Sequence, residues 1–149
     1  MNHPEGNHML VDLSILGDIN WIAVALATVA ISLLGGVWFT LFFGKAYARA
    51  LGKESSPKEK PAPIFIAGPF VCGFVTVVAM AILIQAFQIQ SVRDAIIFGG
   101  IVGAGLLAAT TVNTGINPNI PRPLLYGLVS GSYFLLSGWI VSLILVAMG

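Results

Sequence analysis

Residues 19–44 read INWIAVALATVAISLLGGVWFTLFFG, with Asp18 before them, Lys45 after them and no charged side chain between. Such a run exceeds the roughly 20 apolar residues needed to cross about 30 Å of hydrocarbon. Three more runs share its character: 61–92 between Lys60 and Arg93, 95–121 between Asp94 and Arg122, and 123–149 to the end of the chain. In lipid a backbone finds no water for its N–H and C=O groups, so each run must satisfy itself internally as a helix. A barrel would show shorter strands of alternating polarity, which are absent. The expected fold is an all-α integral membrane protein, a four-transmembrane-helix bundle with helices near 20–43, 63–88, 93–115 and 123–148.

Composition agrees with that reading. The 149 residues are 57% hydrophobic and 9% charged, against roughly 45–50% and about 25% in soluble domains. Seven basic and six acidic side chains would cover little of a soluble surface, whereas a bilayer removes the need to cover it. A net charge of +1 provides no basic field for nucleic acid. Cys72, the single cysteine, lies inside an apolar run, which excludes a disulfide framework and a cysteine-based metal site. The first 17 residues lack Lys, Arg and a small-residue cleavage site, so a secretory signal peptide is not expected. Residues 1–19 are read as an extracytoplasmic N-terminal extension ahead of a single transmembrane domain, 20–149.

Helix punctuation falls where the charge-free runs require it. Gly44 and the polar stretch 52–63 close the first helix, with Ala46–Gly52 expected to continue it into the interface. Pro61 and Pro63 precede the second helix, and Pro69 falls in its first turns, where a lost intrahelical bond costs least. Ser91 is a candidate N-cap for the third helix, with Asp94 in its first turn. Asn117-Pro118-Asn119 with Pro121 and Pro123 forbids continuation into the fourth. No internal repeat is evident, so an inverted-repeat transporter core is not supported.

Orientation follows from the basic residues. Lys45, Arg49, Lys53, Lys58 and Lys60 share the 45–62 loop, Arg122 lies between helices three and four, and only Arg93 lies on the other side. The positive-inside bias then places the basic loop in the cytoplasm and both termini outside. These basic side chains are read as topology signals that also meet anionic lipid headgroups near Lys45–Lys60, with recognition of a specific ligand as the alternative. Trp21 and Trp38, near opposite ends of the first helix, suit interfacial anchoring.

Helices in lipid associate through close packing of small residues. Each span offers such residues at spacing four: Thr28, Ser32 and Gly36; Gly68, Cys72 and Thr76; Gly99 and Gly103 with Gly100, Ala104 and Ala108; and Gly127 and Gly131, with Gly138 a heptad on. They are expected to form the interior faces of the bundle. The alternative makes one stripe, on the third helix, the seam of a homo-oligomer.

Chemistry-bearing groups are sparse. No Asp, Glu, Lys, Arg or His falls deep in a proposed helix, although proton relays and ion-coupled carriers usually depend on such groups. No Ser/His pair, paired Asp or zinc constellation can be assembled for proteolysis, so no catalytic residue, metal site or cofactor is expected. His3 and His8, with Glu5 and the amino-terminal Met1-Asn2-His3 spacing, are the one metal-like pattern, and a tail with two imidazoles is read as carrying no metal. A start at Met9 would delete both. Thr110, Thr111, Asn113 and Thr114 cluster at the end of the third helix. They are read as structural hydroxyls and amides bonding to nearby carbonyls, or alternatively as a polar seam for a small solute.

Asn20-Trp21-Ile22-Ala23-Val24, Gly36-Val37-Trp38-Phe39, Phe43-Gly44-Lys45-Ala46-Tyr47 and Ala50-Leu51-Gly52, together with Ala109-Thr110-Thr111 and Arg122-Pro123, resemble a bacterial membrane family known as domain of unknown function 1761. The resemblance spans 20–149 and implies a small four-helix protein of the bacterial cytoplasmic membrane, with Asn20, Trp21, Trp38, Phe39, Gly44, Lys45, Arg122 and Pro123 as its family-like positions. In the fourth helix the family often has Tyr-His after a glycine, whereas here Ser132-Tyr133 follows Gly131. The family carries no activity. The expected function is therefore a non-catalytic structural, accessory or oligomeric bundle; the alternative is a passive channel or carrier for a small neutral or amphiphilic solute. No enzyme is expected, since a loop of about 18 residues is too short to fold as a catalytic domain.

Overall fold

The computed structural model describes residues 14–55 and 60–149, and every regular element among them is helical. A short helix α1 (Ile15–Asp18) precedes α2 (Trp21–Phe42), whose last turn, Trp38–Phe42, is π-helical. Next come α3 (Gly44–Ala50), α4 (Ile64–Ala86), α5 (Val92–Gly115) and α6 (Pro123–Met148). In α5 the middle stretch Ile101–Ala108 is π-helical. Four helices, α2, α4, α5 and α6, are long and apolar enough to cross a membrane, with mean hydropathies of 2.2, 2.3, 2.0 and 1.9. His3, His8 and Lys58 lie outside the described residues.

Local chemistry sets the ends. The Asn20 side-chain oxygen accepts from the Ile22 and Ala23 amides at 3.1 Å, and its Nδ2 donates to the Met148 carbonyl at 2.8 Å. One amide thus caps α2 and ties it to the end of α6. Ser91 caps α5 by accepting from the Asp94 amide at 3.0 Å, while its hydroxyl donates to the Asp94 carboxylate at 2.7 Å. Pro123 occupies the first turn of α6, where its missing N–H costs nothing. α3 ends in a left-handed turn at Gly52, φ +67°, with Lys53 N–H bonded to the Ala48 carbonyl and Gly52 N–H to that of Arg49.

Ala46–Gly52 does not continue the first helix. The backbone leaves helical geometry at Phe43 (φ −120°, ψ 13°) and α3 starts afresh. A Cβ on Gly44 would lie 3.2 Å from the Phe39 carbonyl oxygen, so the bareness of that residue lets α3 fold closely against the end of α2. The α1 segment of the N-terminal extension is also not free: Ile19 is buried, and Gln85 Nε2 reaches the Asp18 carbonyl at 3.4 Å.

The hub of the bundle is α6. It packs against α5 along one side and α2 along the other, and α4 rests in the angle between α2 and α6. The core where they meet holds Val24, Ala27, Ile31, Val77, Met80, Ala81, Val141 and Leu145. Although consecutive in sequence, α4 and α5 do not pack together along their length. Two expected interior stripes are corrected by this layout. On α4, Gly68 faces open space and Cys72 is exposed, because the buried edge is Val77, Met80, Ala81 and Ile84. On α2, Thr28 is buried, but Gly36 faces open space and its neighbour Gly35 takes the contact, against the Tyr133 ring. With mean apolarity high on every side of these helices, small residues alone do not say which face turns inward.

Candidate functional site

Three features stand out: a glycine seam, a pair of crossed hydrogen bonds and a charged clasp. The seam joins α5 to α6. A Cβ on Gly99 would fall 2.6 Å from the Gly138 carbonyl oxygen, one on Gly103 would fall 2.9 Å from the Leu135 carbonyl oxygen, and one on Gly138 would fall 2.7 Å from the Gly103 Cα. These distances are backbone to backbone, so no side-chain rotation can relieve them. Farther along, Gly127 and Gly131 face Val112 and Ala108 in ordinary or slightly tight contact. The Gly99/Gly103 pair is therefore filled by α6 of the same chain.

Crossed bonds join α2 to α6. Trp38 on α2 donates from Nε1 to the Val129 carbonyl of α6 at 2.9 Å, and Tyr133 on α6 donates from its hydroxyl to the Ile31 carbonyl of α2 at 3.0 Å. Trp139 does the same toward α5, donating to the Ile96 carbonyl at 3.1 Å. Buried aromatic N–H and O–H groups need acceptors, and a mid-helix carbonyl keeps a second lone pair for them. Around Tyr133 the rings form a row: Phe39 meets Tyr133 edge-on at 5.2 Å and Tyr47 at 4.8 Å, and Tyr47 lies 5.8 Å from Tyr126. Burial pushes the Tyr47 phenol up, with the neighbouring Tyr126 adding to it.

At the basic end, Glu54 accepts from Arg49 Nε at 2.8 Å and from Arg122 Nη1 at 3.2 Å, while the Arg122 amide donates to the Ala50 carbonyl at 3.2 Å. This clasp pins α3 and its following turn to the start of α6. The hydrogen bond from Arg49, ahead of the charges of both guanidiniums, holds the Glu54 carboxyl below its usual range. Lys45, Lys53 and Lys60 form no ion pair among the described residues.

The Thr/Asn cluster is placed differently from a seam. Thr110, Asn113 and Thr114 are exposed and Thr111 is half-buried. The Thr114 hydroxyl donates to the Thr110 carbonyl at 2.9 Å, and Asn117 Nδ2 donates to the Thr114 carbonyl at 2.6 Å. Asn117 Oδ1 then accepts from the Asn119 amide at 2.8 Å. Such back-bonding closes the end of α5 locally and points toward no neighbouring helix. Two cavities bear on the question of a path. One, of about 10 Å³, lies among Ile19, Asn20, Ala23, Ile84 and Leu145 and is at the lower limit for a single water. The other, of about 420 Å³, is an apolar cleft on the flank, between α4 and α5. No group of three or more His, Cys, Asp or Glu side chains comes together among the described residues.

Against this geometry, the family model described as protein of unknown function (DUF1761) matches residues 22–146, nearly the whole chain. The chain belongs to that family. Comparison with curated proteins and with solved structures finds no match. In this DUF1761 chain the family-like positions do structural work at the element boundaries. Asn20 caps α2 and holds α6, Trp38 crosses to α6, Phe39 opens the aromatic row and Gly44 admits the α2–α3 break. Arg122 closes the clasp and Pro123 begins α6, whereas Trp21 and Lys45 are exposed. Sequence reasoning placed Gly138 on an interior face without making it the center of the seam, and missed the roles of Tyr133, Trp139 and Glu54. A stripe of glycines on α6 was visible, but an ion pair made across a loop has no spacing signature.

Proposed function

We propose that this DUF1761 protein is a multi-pass protein of the bacterial cytoplasmic membrane, with both termini extracytoplasmic and the basic loop inside. It serves as a non-catalytic accessory or assembly bundle. The observation that carries the reading is the α5–α6 glycine seam: backbone meets backbone there with no room for a solute, while Thr110, Asn113 and Thr114 are exposed. The outer face of α4 supports an assembly role, since Phe65, Ile66, Val71 and Val75 are all more than half exposed and Cys72 lies among them.

Cys72 supplies the test. Oxidative cross-linking in native membranes is expected to trap Cys72 in a disulfide-linked dimer or a mixed adduct, lost in Cys72→Ser. A chain that stays monomeric both in the membrane and by native mass spectrometry, with no adduct, would overturn the assembly reading. Reconstituted vesicles separate the alternative: glycerol or urea flux no faster than in protein-free vesicles is expected. Flux that Asn113→Leu abolishes would establish the passive path instead.

A further inference from the structure

We infer that the cleft between α4 and α5 is a phospholipid site, seating one acyl chain along α5 and holding an amine-bearing zwitterionic headgroup at Arg93 and Asp94. This rests on the chain spanning the bilayer, but not on its having an assembly role. The cleft exists because α5 is drawn onto α6 by the glycine seam while α4 is drawn onto α2, which leaves the two consecutive helices apart. Leu83, Phe87 and Ile89 form one wall, and Ile97, Ile101 and Leu106 the other. Phe98 and Val102, part of the bundle core, also line it.

From Asp94, helical periodicity brings Ile97, Phe98 and Ile101 onto one side of α5. Val102 and Leu106, at successive spacings of four from Phe98, carry the wall into the π-helical stretch, and Gly105 faces open space. On the opposite face Ala108 lies against Gly131, whose Cβ position would be 3.6 Å from it.

Length bears on what the cleft holds. Its lining runs from Asp94 to Leu106, about 18 Å at 1.5 Å per residue, which is close to one leaflet of a core about 30 Å thick. A flexible hydrocarbon chain anchored at one membrane face suits that length.

Charge selects the headgroup. Among the lining residues Asp94 is the only charged one, at the interfacial end. Its Oδ2 is held by the Ser91 hydroxyl at 2.7 Å, which fixes the carboxylate while its second oxygen has no hydrogen bond among the described residues. Arg93 precedes it in the first turn of α5, outside the cleft lining, exposed and without an ion pair among the described residues. A cation and an anion on one exposed helical turn offer partners for a phosphate and a primary ammonium. The ammonium donates charge-assisted hydrogen bonds to a carboxylate, which the quaternary ammonium of a choline headgroup cannot do. A glycerol headgroup would leave Asp94 unmatched and add a net negative charge beside it.

The test uses the full-length chain reconstituted in vesicles of equal parts phosphatidylethanolamine, phosphatidylcholine and phosphatidylglycerol, then released into mild detergent for native mass spectrometry. One retained phospholipid per chain is expected, with ethanolamine favoured over choline by at least about fivefold, the scale of one charge-assisted bond. Asp94→Asn keeps the Ser91 cap and should bring that preference below about twofold. Ile101→Trp, at a position 62% exposed, fills the cleft and should lower retention of every phospholipid. It gives an independent reading if Asp94→Asn weakens the fold. Equal retention of ethanolamine and choline lipids by the unaltered chain, or retention untouched by Ile101→Trp, would overturn the site. Failure of Cys72 cross-linking would bear on the assembly role alone.

Discussion

A methyl group placed on Gly138 would sit 2.7 Å from the Gly103 Cα and 2.9 Å from its nitrogen, whereas ordinary contact begins at 3.4 Å. Neither these atoms nor the still nearer Gly99 carbonyl oxygen belong to a side chain that can swing aside, so Gly138→Ala must part α5 from α6 by about 1 Å, a gap that forfeits about half of the dispersion at each affected contact. Overpacking of this kind costs about 1–3 kcal/mol. Alanine returns up to about 1 kcal/mol through helix propensity, and the lost seam contacts cancel that gain, leaving a net loss of about 2 kcal/mol. Equilibrium unfolding in mixed micelles with increasing dodecyl sulfate, followed by tryptophan fluorescence, reads the change, because Trp139 is tied to α5 through the Ile96 carbonyl. Gly36→Ala makes the same chemical change in open space and should be neutral or stabilising by up to about 1 kcal/mol. If Gly138→Ala proves as stable as Gly36→Ala, the seam does not hold the bundle as described.

Three other outcomes follow from the contacts. Tyr133→Phe removes the hydroxyl donated to the Ile31 carbonyl and should cost about 0.5–1.5 kcal/mol in the same titration. Gly52→Ala forces a side chain into a left-handed turn and sets its Cβ 3.1 Å from Pro121 Cγ; a loss of about 1–2 kcal/mol, visible as faster amide exchange in α3, is expected. Because the native-state pKa of Glu54 is depressed, the clasp contributes fully above the ordinary carboxylate pKa and is lost as pH falls through the lowered value. Exchange of the 44–55 amides should therefore quicken, relative to the intrinsic rate, on acidification below the normal glutamate range, and Glu54→Gln should abolish that pH dependence.

The four long apolar helices were legible because charge-free length is a property of composition along the chain, and a backbone taken out of water has helix as its outcome. Expected spans of 63–88 and 93–115 became Ile64–Ala86 and Val92–Gly115, and Ser91 capped α5 as its side chain suggested. Which face turns inward was less legible. On α4 small residues fall on both sides, with Ala81 buried and Cys72 exposed, and apolar groups lie all around, so the stripe Gly68, Cys72 and Thr76 carried no directional information. The candidate polar seam looked like a path because four hydrogen-bonding residues fall close together. Local back-bonding at a helix end uses the same residues, and only their orientation separates the two.

Four crossings with the basic end inside are most directly tested by side-specific labelling of single cysteines in a Cys72→Ser background. Lys53→Cys and Asn119→Cys are expected to react with a membrane-impermeant maleimide only when the cytoplasmic face is opened, and Gln90→Cys and Gly149→Cys from outside in intact cells. Labelling of positions 90 and 119 from the same side would contradict the crossing of α5, and with it the account of the bundle.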